Sequence, residues 1–98
     1  MIIVVGSVLV RDAHICDAVT LSLEHVHRSR AEPGCISHAV HVDCENPKRL
    51  VFVEEWTDQA SLQAHFQVPE SRRFVSALST LVSEKPKMVV YLAEQAGA

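Results

Sequence analysis

Glu54, Trp56, His65 and His38 are the side chains whose types and spacing could do chemistry. Leu50 to Trp56 is a short run rich in β-branched and aromatic residues and reads as a strand. Alternation sets Leu50, Phe52, Glu54 and Trp56 on one face, so a carboxylate and an indole share a surface with apolar neighbours. An inward carboxylate is costly unless paired, so Glu54 is expected beside a buried arginine or histidine. Asp58 is placed to cap a following helix, because its short oxygen-bearing side chain can accept the orphan amide hydrogens there. Leu62 and Phe66 fall four apart on one helical face, and His65 follows two turns in. A histidine titrates near pH 6.5 when unperturbed, which suits a general base working at neutral pH. His38 interrupts an otherwise apolar strand face of Ile36, Val40 and Val42, either as a satisfied core histidine or as a second group of the same pocket.

The elements that must position these groups follow from the rest of the chain. Residues 2–10 are apolar on both parities, with Ile3, Val5 and Leu9 on one and Ile2, Val4, Val8 and Val10 on the other. Such a strand needs cover on both faces. Asp12 can cap the next segment, where Ile15, Val19, Leu23 and Val26 recur at helical spacing to about Arg30, with Asp17, Glu24 and Arg28 turned outward. Glu32-Pro33-Gly34 breaks that helix, since proline ends it and glycine supplies a positive φ. Cys35 to Cys44 alternates as a second strand, and Glu45-Asn46-Pro47-Lys48 is a turn into the third, making a hairpin. Val68-Pro69 forces a break after the Asp58 helix. Phe74, Leu78, Leu81 and Val82 mark a third amphipathic helix ending before Pro86, and Met88 to Ala93 is a last strand.

The order β-α-β-β-α-α-β within a single domain, residues 1–98, is an α+β arrangement. It corresponds to the split βαβ, ferredoxin-like plan, an antiparallel sheet with helices on one face. Three helices cover one face only. Ile2, Val4, Val8 and Val10 are expected to have no helix left to cover them, each forgoing about 1.5–3 kcal/mol of burial in water. A second sheet from a second copy covers them most simply, so a homodimer packed sheet to sheet is expected.

Composition excludes several classes. The chain has 98 residues, 48% hydrophobic and 21% charged, with twelve acidic against nine basic residues and a net charge of −3. No nucleic-acid partner is expected, because Arg28, Arg30, Arg72 and Arg73 are too few for a basic footprint. The opening Met1-Ile2-Ile3-Val4-Val5 run is too short to span a bilayer and lacks the positive flank of a signal peptide, so a cytoplasmic protein without a membrane partner is expected. Cys16, Cys35 and Cys44 form no CxxC pair and suit small buried hydrophobes better than a disulfide framework or a zinc site. His38 and His41 diverge on a strand, as His25 and His27 do on a helix, so no metal site is expected. GxGxxG and Walker patterns are lacking, and no nucleotide site is expected.

The helix ending in Glu32-Pro33-Gly34-Cys35, the Pro47-to-Trp56 strand ending Glu54-Glu55-Trp56, the Leu62-x-x-His65 helix and the Pro69-to-Leu81 segment resemble the antibiotic biosynthesis monooxygenase family of dimeric α+β barrels. The resemblance covers essentially the whole chain and is more specific for fold than for substrate. It implies a cofactor-independent monooxygenase acting with dioxygen on a small or polycyclic aromatic hydroxyl compound, a quinol or a polyketide-like phenol. His65 or His38 would be the catalytic base, and Trp56, Glu54, Phe66, Phe74 and Leu78 would hold the substrate. The alternatives are a ligand-binding homodimer without turnover, or a haem-degrading or signal-metabolite-processing member of the same fold. Haem-degrading relatives carry an asparagine, a tryptophan and a haem-ligating histidine where Ser7, His65 and Val75 align here, and a valine cannot ligate iron.

Overall fold

The strand Ile2–Leu9 (β1) lies at the centre of the molecule, paired antiparallel on both edges, in a computed structural model that describes residues 1–97. A single 3₁₀ turn, Asp12–His14, leads into the helix Ile15–Ser29 (α1). The hairpin Cys35–Asp43 (β2) and Asn46–Trp56 (β3) follows, then the helices Gln59–Gln67 (α2) and Pro69–Ser79 (α3), and the strand Lys87–Leu92 (β4). The four strands form one antiparallel sheet in the order β2-β3-β1-β4, the ferredoxin-like α+β arrangement.

Register decides which side of β1 the helices cover. Ile2 pairs with Trp56, Val4 with Glu54 and Val8 with Leu50, and residues directly opposite one another in a ladder share a face. Ile2, Val4, Val8 and Val10 are therefore buried beneath the helices, contrary to the expectation that they lack cover. The uncovered parity is the other one, Ile3, Val5, Ser7 and Leu9. Val5 is 39% exposed, and its neighbours across β4, Val89 and Tyr91, are 47% and 51% exposed. With both parities of β1 apolar, the strand by itself offers no way to choose between them.

Helix α1 is rotated from its expected setting. Its buried positions are Ala18, Ser22, His25, Val26 and Ser29, while Leu23 is exposed and Ile15 and Val19 only line the core. Small side chains let this helix lie close to the sheet. Arg28, expected outward, is half-buried. Asp12 caps nothing and meets Lys48 at 3.2 Å instead. Asn46, Pro47 and Lys48 belong to β3 rather than to the turn, which shrinks to Cys44-Glu45. Val82 lies beyond α3 and bridges to Val10. The cysteines are free, with Cys16 and Cys44 exposed rather than buried.

Other local signals act as the sequence implies. The Asp58 carboxylate accepts from the Ser61 backbone N–H at 2.8 Å and starts α2. The break at Val68-Pro69 ends α2 at Gln67, and Pro69 then stands first in α3, where its missing N–H costs nothing. Gly34 has φ +82°, and a Cβ there would lie 2.1 Å from Oγ of Ser61, so only glycine fits between the hairpin and α2. Among the described residues no helix is long and apolar enough to cross a membrane.

Candidate active site

Four elements deliver the polar groups to one place. β3 turns Glu54 inward, β2 brings His38 opposite it, α1 brings His25 and α2 brings His65. All four side chains are buried. The polar layer divides the core. On one side lie Val8, Val10, Leu50, Phe52, Phe74 and Leu78; on the other lie Ile2, Val4, Trp56 and Leu62.

Each polar group has a definite partner, with one exception. The indole Nε1–H of Trp56 donates to Oε1 of Glu54 at 2.9 Å, and Nε2 of His38 lies 3.3 Å from the same oxygen. Burial alone would raise the Glu54 carboxyl, but His38 and the indole donor outweigh it and hold the group below the usual carboxylate range. Nδ1 of His65 lies 2.8 Å from Oε1 of Glu32. A carboxylate oxygen accepts, so Nδ1 carries a ring proton, and in the neutral ring Nε2 holds the lone pair. His25 stacks on Phe74 with ring centres 4.0 Å apart, and its Nδ1 accepts from Arg28 at 2.7 Å. Burial, followed by the neighbouring His38, His65 and Arg28, pushes its pKa down to about 3, so at neutral pH it is uncharged. His38 is the exception: its contact with Glu54 is poorly aligned, and both ring nitrogens lack a hydrogen-bond partner.

A cavity of about 480 Å³ opens between α2, α3 and the sheet. Phe52, Phe66, Phe74, Leu78 and Met88 make it mainly apolar, and His25, His65, Glu54 and Ser71 contribute its buried polar surface. Arg72 and Lys87 also line it and are exposed to solvent. His65, Phe66, Phe74, Leu78 and Glu54, all read as site residues from the sequence, thus meet at one cavity. Trp56 does not reach it: the ring is fully buried with Ile2, Val4 and Leu62, and its N–H is taken by Glu54. His38 sits behind the cavity wall, fully buried. A second cavity, about 310 Å³, lies on the other side of His65 and includes Glu32.

Sequence reasoning misses His25, Glu32 and Arg28. A signal for His25 is present in the stripe Ala18, Ser22, His25, Ser29, whose steps of four, three and four trace one helical face. Hydrophobicity hides it, because the more apolar stripe of Ile15, Val19 and Leu23 claims the core. Glu32 reads in the sequence only as part of a helix-breaking turn.

A ferredoxin-like sheet with helices on one face, over a cavity walled by aromatic rings and floored by imidazoles, defines an α+β protein with an apolar cavity beside a buried polar cluster. Residues 1–77 match the profile of the antibiotic biosynthesis monooxygenase family, and the chain belongs to that family. It is 31% identical over 90 residues to the uncharacterized protein sll1783 of Synechocystis, a match covering 92% of this chain and 61% of the longer relative. Among solved structures, an antibiotic biosynthesis monooxygenase superposes with a TM-score of 0.90 at 27% identity, covering 97% of this chain and 100% of that one. A conserved protein of Methanosarcina mazei superposes at 0.91 with 26% identity, covering 95% and 92%.

Proposed function

We propose that the protein is a cofactor-independent monooxygenase that oxidises a small aromatic hydroxyl compound, with His65 as the base. The observation that carries this reading is the placement of His65 at the apolar cavity, with its Nδ1 fixed by Glu32 and Nε2 left as the proton acceptor. Nε2 takes the phenolic proton of a quinol, and the Glu32 carboxylate stabilises the imidazolium that forms. The resulting phenolate is electron-rich enough to reduce dioxygen directly. One oxygen atom enters the ring as the quinol becomes a hydroxyquinone, and the other leaves as water, with all electrons supplied by the quinol. Phe66, Phe74 and Leu78 exclude water and hold the ring, while Arg72 and Lys87 attract the developing phenolate. Glu54 is anchored by the Trp56 N–H and sets a negative charge beside His38. The functional unit is a homodimer closed through the uncovered sheet face of Val5, Val53 and Val89.

Oxygen consumption with a panel of quinols tests the reading. His65→Ala is expected to lower kcat/KM by about 10²–10⁴-fold, the scale for losing a general base. His38→Ala is expected to cost much less, because His38 does not line the cavity. Equal loss in the two variants would move the base to His38. Ligand binding without oxygen uptake by the wild type would replace the oxygenase with a ligand carrier.

A further inference from the structure

We propose that His25, His38 and His65 form a binding site for one zinc-class divalent transition-metal ion at the floor of the cavity. The three residues come from α1, β2 and α2, and one nitrogen of each lies within 4.8 Å of the others. Their ring centres are 5.2, 5.3 and 5.5 Å apart. Imidazoles bound tetrahedrally have metal–nitrogen distances of about 2.0–2.1 Å, which puts each ring centre about 3.2 Å from the ion and the centres about 5.2 Å from one another. The rings therefore already stand at the separation a metal would impose. The nitrogens, within 4.8 Å of one another, would close to about 3.4 Å on binding.

The surroundings fit a cation. Both nitrogens of His38 are buried without a hydrogen-bond partner, a costly state that a metal–nitrogen bond would relieve. Glu32 fixes the far nitrogen of His65, as a carboxylate commonly does behind a ligating histidine, and leaves Nε2 free. Glu54 sits beside His38 and Glu32 beside His65, so two carboxylates face the cluster against the single guanidinium of Arg28. His25 and His65 also border the cavity, so an ion there would keep an open position for water or a ligand. Three nitrogen donors select zinc, copper or nickel over magnesium or calcium. One group opposes binding. Arg28 donates to Nδ1 of His25 and so holds that ring's proton on Nε2, the nitrogen a metal would need. Arg28 is only half-buried and can withdraw toward solvent.

This site does not depend on the oxygenase reading, although the two meet at His65. A bound ion would occupy the lone pair that removes the phenolic proton, so metal-loaded protein should oxidise a quinol more slowly than metal-free protein.

The test is calorimetric titration of the EDTA-stripped, dialysed full chain with Zn²⁺, with Co²⁺ as a spectroscopic probe. One ion per chain is expected, with the visible absorption of four-coordinate cobalt and no displacement by excess Mg²⁺. His38→Ala and His65→Ala should each weaken binding by at least about 100-fold, and Glu32→Gln by about 10–100-fold. Arg28→Met should tighten it by about tenfold, by freeing Nδ1 of His25 to hold the proton. His27→Ala, on the exposed side of α1, should leave it unchanged. Circular dichroism checks each variant's fold; if His38→Ala does not fold, Glu32→Gln and Arg28→Met, which move affinity in opposite directions, decide. Absence of saturable binding would overturn the proposal, as would binding that survives the cluster variants. Zinc binding without quinol oxidation would sink the oxygenase alone, and oxidation without zinc binding would sink the metal site alone.

Discussion

On the helix-covered face of the sheet, Glu54 and His38 lie buried among Leu50, Phe52 and Trp56, whereas on the opposite face Val5, Val89 and Tyr91 stand exposed. An ordinary one-sided antiparallel sheet would show the reverse, apolar within and polar without. Each departure carries information, because buried polar groups and exposed apolar patches are what a stable isolated fold avoids. The covered face gives up apolar contact to hold a carboxylate and three imidazoles beside a cavity. The open face keeps its valines as if a second layer were to be laid on them. Both faces include strand β3, so one strand serves the site with Glu54 and the outer surface with Val51 and Val53.

The largest effects come from treating the two faces alike. Val53→Asp puts an unpaired charge on the open face, where a sheet-to-sheet dimer would desolvate it. Sedimentation should show wild-type protein at twice the chain mass and the variant as a folded monomer, with association weakened by about 10³-fold or more. Wild-type protein that sediments as a monomer would leave the open face without a dimer partner. Leu50→Ala makes the comparable change on the covered face. It removes a fully buried side chain from the larger apolar cluster and should cost about 2–5 kcal/mol, lowering Tm by about 10 °C or more. A much smaller loss would mean that the covered face repacks, and that its rigidity does not hold the imidazoles in place.

Acid should act on the buried histidine and carboxylate of the covered face. In the unfolded chain His25 gains its proton as pH falls through about 6.5, whereas in the folded chain burial holds its pKa at about 3. The unfolded state therefore binds more protons between these values. Stability contributed by neutral His25 is fully present above pH 6.5 and declines below it by about 1.4 kcal/mol per pH unit. Glu54, held below the usual carboxylate range, adds a loss of the same sign at lower pH. Melting curves in EDTA should fall steadily from pH 7 to 4.5, and His25→Leu should flatten them. A wild-type profile already flat over that range would show that His25 is reached by water.

The fold was legible because its signals are local: Asp58 as a cap, Gly34 at a positive φ, Val68-Pro69 as a break between helices, and alternation along β3. Glu54 and His65 were legible for the same reason, one through strand parity and the other through spacing from a cap. What stayed hidden depends on register and helix rotation. The ladder of Val4 against Glu54 chooses the covered parity of β1, and nothing within β1 does. The turn of α1 that selects Ala18, Ser22 and His25 over Leu23 is set by close approach to the sheet, which favours small side chains against the hydrophobic trend. The meeting of His25, His38 and His65 joins three elements, so no spacing along the chain announces it.

Trp56 offers the smallest and most discriminating test of how the two halves of the covered core are joined. Its ring belongs to the cluster of Ile2, Val4 and Leu62, while its N–H donates across to Glu54 in the polar layer. Trp56→Phe keeps an aromatic ring in the cluster and removes the donor, for an expected cost of about 1–3 kcal/mol. Part of that is lost volume and part is the carboxylate left short of a partner. Glu54→Gln, alone and combined with Trp56→Phe, separates the two in a double-mutant cycle. A neutral amide has less need of the indole donor, so the tryptophan substitution should be less costly in the Glu54→Gln background, with a coupling of about 1 kcal/mol. Additive losses would mean that the hydrogen bond contributes no stability, and that Trp56 acts on the polar layer through packing alone.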